Sequence, residues 1–221
     1  MGEYFNWVNV NKREYICPGD FDYGNKFHES RHKNNPVLRA LHELLSGRWK
    51  GDPVVFLGDE AKIPEDTPYG LLHDLLGQAG TEHYYDFICE NYRNVSCLFR
   101  DAEKEVRERI NNYIYDIKDR GSFEYANEYG IDIRRPFAGL FSLNGRTFPY
   151  IINHTKGVYY SLSETPILYQ DRTVCEYVDP LPILLGYGRS AEPGVWLGDI
   201  VEASDEIGST YTPVKEIYLD W

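Results

Sequence analysis

Hydrophobic and polar positions change their spacing along the chain, and the changes predict an order of elements near its start. Aromatic and β-branched residues dominate Tyr4–Ile16, and a polar turn at Asn11-Lys12 divides this stretch into two predicted strands. Asn35 can cap a following helix, which Gly47 can end. The short apolar run Val54–Leu57 then predicts a buried strand.

The middle of the chain shows helical spacing. Apolar residues recur every three or four positions from Ser96 to Arg120, which predicts a long helix. Two shorter helices are predicted before it, one opened by Thr67-Pro68 and one capped by Thr81. One side of the second carries Tyr84, Tyr85, Ile88 and Tyr92. We therefore expect a helical insertion over residues 64–120.

Beyond Gly130 the apolar residues alternate with period two, which is typical of strands. A hairpin is predicted around the tight turn Asn144-Gly145, with Thr147–Asn153 as its second strand. Four further strands are predicted at Val158–Leu162, Ile167–Tyr169, Val195–Val201 and Glu216–Leu219. The expected fold class is α+β, with two β-rich ends packed together around a helical insertion. No low-complexity linker divides residues 1–221, so we expect a single compact domain.

The two β-rich ends share sequence motifs in the same order and at nearly the same separation. Val8-Asn9-x-x-Lys12-x-x-Tyr15 matches Ile152-Asn153-x-x-Lys156-x-x-Tyr159. Trp49-x-Gly51-Asp52-x-Val54 matches Trp196-x-Gly198-Asp199-x-Val201. Between these pairs, Pro36-Val37-Leu38 matches Pro182-Ile183-Leu184, although Gly186 leaves no room there for a long helix. The interpretation is a duplicated unit over residues 4–60 and 148–205; the alternative is coincidence between two strand-turn stretches.

The same motifs resemble an uncharacterised protein family of bacteria and their phages. The resemblance rests on Met1-Gly2-Glu3-Tyr4, on Val8-Asn9-x-x-Lys12-x-Glu14-Tyr15 and on the two Trp-x-Gly-Asp segments. It covers both ends of the chain and is weak in the middle. It implies kinship of fold and carries no activity, because we know of none for the family.

Composition narrows the classes of partner. The chain carries 35 Asp and Glu against 23 Lys and Arg, a net charge of −12, which argues against nucleic acid and would suit a basic protein. No apolar stretch approaches the ~20 residues of a membrane helix, so no membrane association is predicted. The four cysteines form no C-x-x-C pair, and we expect a cytoplasmic protein with reduced thiols.

One string has the form of a zinc-binding motif, His28-Glu29-Ser30-Arg31-His32. On a helix its two histidines could hold Zn²⁺ while Glu29 activates the bound water. Its surroundings argue against a firm helix, because Pro18-Gly19 precedes it and Asn34-Asn35-Pro36 follows it. A third ligand would have to be distant, from Glu60, His73, Glu82 or His83. The interpretation preferred here is a polar turn without metal.

The repeated Trp-Gly-Asp segments supply the other candidate residues. Asp52 and Asp199 could face each other and act as an acid–base pair, or each could accept hydrogen bonds within its own turn. Trp49 and Trp196 are candidates for a binding site; as structural residues, both are expected to be buried where the two ends meet.

Two functions remain open from the sequence. The first is a non-enzymatic, intracellular protein-binding module, of an immunity or inhibitor kind, that covers a basic partner. The 19 tyrosines and four tryptophans favour it, because such side chains dominate binding surfaces. The alternative is a metal-dependent hydrolase that uses His28, Glu29 and His32, or the Asp52/Asp199 pair. No phosphate loop or nucleophile elbow is present, and no cofactor is predicted.

Overall fold

A computed structural model describes residues 2–21, 23–61, 84–96, 98–99, 146–189 and 193–219. Sheets at both ends of the chain, accompanied by few helices, confirm the α+β class. The helices are α1 (Pro36–Ser46), α2 (Tyr84–Asn91) and α3 (Leu181–Leu185). The strands are β1 (Phe5–Asn9), β2 (Glu14–Ile16), β3 (Val54–Gly58), β4 (Arg93–Asn94), β5 (Tyr150–Asn153), β6 (Val158–Ser161), β7 (Ile167–Leu168), β8 (Gly186–Tyr187), β9 (Val201–Ser204), β10 (Thr212–Pro213) and β11 (Ile217–Tyr218).

The first sheet has the strand order β4-β2-β1-β3-β8, and its centre is antiparallel. Every residue of β1, β2 and β3 is buried, which confirms the buried strand predicted at Val54–Leu57. The predicted helix is also confirmed. The Asn35 side chain accepts a hydrogen bond from the backbone N–H of Leu38 at 2.8 Å, Pro36 occupies the first turn, and the N–H of Gly47 closes the last turn onto Leu44.

The second sheet has the order β10-β6-β5-β9 and repeats the central arrangement of the first. β5 lies between a hairpin partner, β6, and a returning strand, β9, and both pairings are antiparallel. β1 lies in the same way between β2 and β3. Asn9 and Asn153 each end the central strand and pair on both sides. This common topology is what a repeated unit requires; duplication itself stays a prediction.

The two sheets share their main hydrophobic core, because α1 and α3 each pack on the sheet from the opposite end of the chain. α1 packs against β9, and α3 packs against β3. In both cases a helix carbonyl accepts the N–H of a later tryptophan: Leu44 from Trp49 at 2.6 Å, and Leu184 from Trp196 at 2.8 Å. A bridge between Pro53 and Ile200 joins the sheets directly. The core that contains both tryptophans therefore draws on both ends of the chain.

A third, two-stranded sheet pairs β7 with β11 in parallel. Its inner side covers a small core of Ile167, Cys175, Val178 and Leu219. The segment 169–173 turns back on itself, and Leu168 also bridges to Val174. Its strand β7 lies within the proposed repeat unit 148–205, whereas β11 lies outside both units.

One strand prediction was wrong, at Val195–Val201. Residues 195–198 form a turn, and β9 begins only at Val201. The reason is Gly198, whose φ of +81° reverses the chain before a strand can start. The second short helix of the middle is confirmed as α2. The helices predicted at Thr67-Pro68 and across most of 96–120, and the Asn144-Gly145 turn, lie outside the described residues. No helix within the described residues is long and apolar enough to cross a membrane.

Candidate functional site

Two matching turns lie where the sheets meet, and we call them the first WGD turn (Trp49–Asp52) and the second WGD turn (Trp196–Asp199). In each, the aspartate N–H donates to the tryptophan carbonyl, at 3.1 Å and 2.9 Å. The glycines before the aspartates, Gly51 and Gly198, have φ of +83° and +81°. An L side chain rarely adopts that conformation, so the glycine of the motif is required by the backbone.

The carboxylate of Asp52 is held by side chains from the β1–β2 hairpin. Asn9 Nδ2 donates to Asp52 Oδ2 at 3.1 Å, and Asn11 Nδ2 donates to Oδ1 at 3.2 Å. Lys12 Nζ lies 3.1 Å from Oδ2. Asn9 Oδ1 in turn accepts the backbone N–H of Lys12 at 2.9 Å, which closes the hairpin turn. The Asn and Lys of the Asn-x-x-Lys motif thus bind the aspartate of the WGD turn.

The second WGD turn is held by the equivalent residues. Asn153 Nδ2 donates to Asp199 Oδ2 at 2.8 Å, and Lys156 Nζ lies 2.6 Å from the same oxygen. Asn153 Oδ1 accepts the backbone N–H of Lys156 at 2.9 Å. The contacts of Asp199 and of Asp52 are all with their own segments. The arrangement therefore locks each hairpin to its WGD turn, and among the described residues the two carboxylates bind no common group.

We expect Asp52→Asn and Asp199→Asn to lower the free energy of unfolding only modestly, by about 1 kcal/mol or less. The asparagine oxygen can still accept from Asn9 or Asn153, and Lys12 and Lys156 are partly exposed, at 39% and 45%. Urea unfolding of both variants checks the value. A loss above about 3 kcal/mol would mean that these carboxylates do more than hold a turn.

The Asp52 contacts also predict a dependence on pH. Burial acts to raise the pKa of Asp52, but the hydrogen bonds from Asn9, Lys12 and Asn11 together hold it below its ordinary value. A lowered pKa stabilises the fold above the unfolded value of about 3.9 and stops doing so as the pH falls through the folded value. The stability difference between the wild type and Asp52→Asn should therefore be constant near neutral pH and shrink below about pH 4.

The two tryptophans are buried, as expected. Trp49 is fully buried, and its Nε1 donates to Glu14 Oε2 at 2.9 Å. Arg48 binds the same carboxylate through two nitrogens, with Nε at 2.8 Å from Oε2. The Arg48 bonds, with that from Trp49, hold the pKa of Glu14 below its usual value although burial opposes the shift. Trp196 is 5% exposed and packs on the ring of Tyr160. Neither indole is presented to a partner.

The string His28-Glu29-Ser30-Arg31-His32 lies in a turn and not in a helix. Glu29 Oε2 accepts the N–H of Lys26 at 3.1 Å, and His32 bridges to Val178 while its ring stacks on Tyr177. The i, i+4 helical geometry that a zincin needs is therefore not present. Within the described residues, no three His, Cys, Asp or Glu side chains form a group that could hold a metal ion.

Sequence reasoning missed a chain of polar contacts that crosses between the two segments. Lys50 Nζ lies 2.7 Å from Glu202 Oε1, and His154 Nε2 lies 2.9 Å from Glu202 Oε2. His154 Nδ1 contacts Tyr211 Oη at 2.7 Å. Lys50 belongs to the first WGD turn and His154 directly follows Asn153, so two of these four residues lie in or next to a motif. Glu202 belongs to no sequence motif, and its position beside His154 follows only from the pairing of β5 with β9.

Sequence reasoning also missed a buried polar group around Asp179. His42 Nε2 and Tyr160 Oη each bind one of its carboxylate oxygens at 3.1 Å, and the backbone N–H of Leu181 adds a bond at 3.0 Å. His42 Nδ1 accepts the N–H of Phe148 at 3.1 Å, which leaves the ring proton on Nε2. Burial is the main cause that raises the pKa of Tyr160, and Asp179 adds to it, so this hydroxyl remains a donor.

Exposed apolar side chains concentrate on the third sheet. Of the six large hydrophobic side chains that are exposed among the described residues, three lie in this sheet or in the segment that follows its turn: Tyr218 of β11, and Val174 and Tyr177 of that segment. Leu168 pairs with Tyr218 and with Val174, so these three lie in a row across one side of the sheet. The Tyr177 hydroxyl contacts that of Tyr169, the residue that follows β7, at 2.5 Å. We call Val174, Tyr177 and Tyr218 the tyrosine surface.

Comparison with protein-family models, curated proteins and solved structures gives no match. The resemblance drawn from the motifs therefore stays a prediction, and the case for function rests on the geometry described above.

Proposed function

We propose that this protein is a non-enzymatic, cytoplasmic protein-binding module of the immunity or inhibitor kind, and that its partner is a basic protein. The observation that carries the proposal is the tyrosine surface, which collects half of the exposed large hydrophobic side chains of the described residues. Tyrosine gives contact area at a low cost in conformational entropy and is enriched in binding hot spots.

The charge of the chain supports a basic partner. The net charge is −12, and Asp171, Glu176 and Glu216 are exposed around the tyrosine surface. Glu216 accepts a hydrogen bond from the Tyr218 hydroxyl at 2.9 Å, which Arg172 also contacts at 3.1 Å. Complementary charge accelerates encounter and selects among partners, while the tyrosines would supply contact area.

The preorganisation of the tyrosine surface supports the same role. The Tyr169 hydroxyl is bound by Tyr177 and by the thiol of Cys175, and the pKa of Tyr169 is raised by these contacts. The ring of Tyr177 stacks on His32 at 6.0 Å between centroids. Side chains that are already held in place lose less freedom when a partner binds.

The contacts of the other candidate groups favour a role in stability over one in catalysis. Asp52 and Asp199 bind their own hairpins, and the His42–Asp179 pair is closed off by Phe148 and Tyr160. The thiols of Cys17 and Cys89 have raised pKa values, chiefly because of burial, which makes them poor nucleophiles. Free thiols at Cys17, Cys89 and Cys175 suit the reducing cytoplasm.

The test is capture of proteins from a bacterial lysate on the immobilised chain, followed by purification of the retained protein and calorimetry. We expect a protein of basic isoelectric point whose affinity falls at least about 30-fold with Tyr177→Ala and Tyr218→Ala together, as for a binding hot spot. Binding should also weaken with added salt.

The matched control is Tyr4→Ala, which removes an exposed tyrosine, 43% exposed, from outside the third sheet. Its affinity should equal that of the wild type. An acidic partner, a partner that binds the double variant as tightly as the wild type, or no retained protein at all would each refute the proposal.

A further inference from the structure

A cavity of 380 Å³ lies between the residues that precede α1, the entry to β5 and the end of β6. Its volume is in the range of small-molecule sites, about 300–1,000 Å³. Phe148, Pro149 and Leu162 supply an apolar part of its wall. The other lining residues are polar, and those whose polar groups are accessible decide which ligand the cavity can take.

Asp179 is the one carboxylate among the lining residues, and it is not accessible to a ligand. Its side chain is 1% exposed. Its oxygens accept from His42 and from the Tyr160 hydroxyl at 3.1 Å, and from the backbone N–H of Leu181 at 3.0 Å. Hydrogen bonds to the charged form stabilise it, so Asp179 needs no partner from the cavity. A cationic ligand therefore finds no accessible anion here.

Lys33 supplies the positive charge of the cavity, and its ammonium is only partly used. Its Nζ donates to the carbonyl of Leu162 at 3.0 Å, which holds the ammonium against the cavity wall. Lys33 is half-buried, and within the described part of the chain it forms no ion pair with a carboxylate. An ammonium has three donors, so Lys33 can bind an anionic group in addition to Leu162.

Ser163 supplies a further donor beside Lys33, because its hydroxyl proton is not taken by its own turn. The Ser161 hydroxyl oxygen accepts the backbone N–H groups of Ser163 and Glu164 at 3.4 Å and 3.2 Å, which fills its two lone pairs. In the contact between the two hydroxyls, at 3.2 Å, Ser161 is therefore the donor and Ser163 the acceptor. Ser163 is exposed and directly follows Leu162, so its hydroxyl proton is left for a ligand close to the Lys33 ammonium.

The segment that carries Lys33 is held in place by hydrogen bonds within the protein. The next residue, Asn34, has φ of +61°, a value at which asparagine is enriched among residues other than glycine. Its Oδ1 accepts from the Thr147 hydroxyl at 3.2 Å, and its carbonyl accepts from Arg39 Nη1 at 2.7 Å. The backbone N–H of Lys33 donates to the Tyr177 carbonyl at 2.9 Å. A wall that is already fixed loses little freedom when a ligand binds.

We propose that the cavity binds a small monocarboxylate with an apolar tail. The ligand carboxylate accepts from the Lys33 ammonium and the Ser163 hydroxyl, and its tail packs on Phe148 and Pro149. Both accessible groups are donors, which selects an anion, because hydrogen bonds between charged groups are about twice as strong as neutral ones. The buried charge of Asp179 opposes a second negative charge nearby, so the expected affinity is modest. The proposal does not rest on the tyrosine surface and holds whether or not a protein partner exists.

The test titrates the full chain with 4-methylpentanoate, isoamylamine and acetate at constant ionic strength, followed by NMR chemical shifts and calorimetry. The first two probes share one apolar tail and carry opposite charges, and acetate keeps the carboxylate without that tail. We expect 4-methylpentanoate to bind with a Kd on the order of 1 mM, and the other two probes to bind at least about 10-fold more weakly. The shifted resonances should include those of Leu162 and Ser163. An absence of 4-methylpentanoate binding, shifts confined to residues outside the cavity, or equal binding of another probe overturns the proposal.

The matched variants are Lys33→Met and Lys215→Met, which remove the same charge. Lys33→Met should weaken 4-methylpentanoate binding at least about 10-fold, whereas Lys215, an exposed lysine outside the cavity, should be replaceable without effect. Ser163→Ala removes only the second donor, at an exposed position, and should weaken binding about 5-fold. Circular dichroism checks the fold of each variant, and if Lys33→Met does not fold, Ser163→Ala decides alone. Wild-type affinity in either cavity variant refutes the assignment, as does a loss in Lys215→Met equal to that in Lys33→Met.

Discussion

Trp49→Ala and Trp196→Ala will each lower the free energy of unfolding by about 3–5 kcal/mol, the range for a buried tryptophan. Both indoles lie in the core that joins the two sheets, at 0% and 5% exposure. A typical domain is stable by about 5–15 kcal/mol, so either variant should unfold at a markedly lower urea concentration. Unfolding curves followed by circular dichroism measure the loss. Wild-type stability in both would show that the shared core does not hold the sheets together.

The tryptophan-to-phenylalanine variants separate packing from hydrogen bonding. Trp49→Phe removes the donor to Glu14 as well as part of the ring, so Glu14 loses a charged hydrogen bond in addition to contact area. We expect Trp49→Phe to cost about 1.5–3 kcal/mol more than Trp196→Phe, the usual strength of a hydrogen bond to a charged group. Equal losses in the two variants would assign the role of Trp49 to packing alone.

His42→Ala will cost about 3–5 kcal/mol, the range for removing one member of a buried pair. His42 is fully buried, and its loss leaves both Asp179 Oδ2 and the N–H of Phe148 without their partner. The substitution also leaves a cavity between α1 and the second sheet, which this helix contacts. Denaturant unfolding and native-state hydrogen exchange at Phe148 both measure this effect.

His154→Ala is the matched control, because His154 makes contacts of the same kind at a more exposed place. Its ring binds Glu202 and Tyr211 at 2.9 Å and 2.7 Å, but its side chain is 31% exposed, so water can replace the lost bonds. We expect a loss of about 1 kcal/mol or less. If the two variants lost equal stability, burial would not be what makes the His42 contacts strong.

Sequence determined the local elements wherever one residue type leaves the backbone little choice. Asn35 and Pro36 start α1 because the Asn35 side chain caps the helix and Pro36 has no N–H to leave unbonded there, and the apolar run of β3 is buried throughout. The WGD motif could be recognised in the sequence because its backbone has a positive φ at Gly51 and Gly198, which requires glycine at both positions. Burial of both tryptophans followed from their size and their place before a strand. These are properties of a few consecutive residues, which a single sequence contains in full.

Tertiary structure decided every contact whose partners are distant along the chain. Glu202, Asp179 and His42 belong to no motif, and they acquire roles only because β9 lies beside β5 and α1 packs on the second sheet. The string at His28–His32 shows the reverse, since its spacing fits a metal site while its backbone forms a turn. Hydrophobic patterning predicts which side chains are buried. It does not predict which residues they contact, because the hydrophobic effect is non-directional. Hydrogen bonds between distant polar groups need distances that only the packed chain defines.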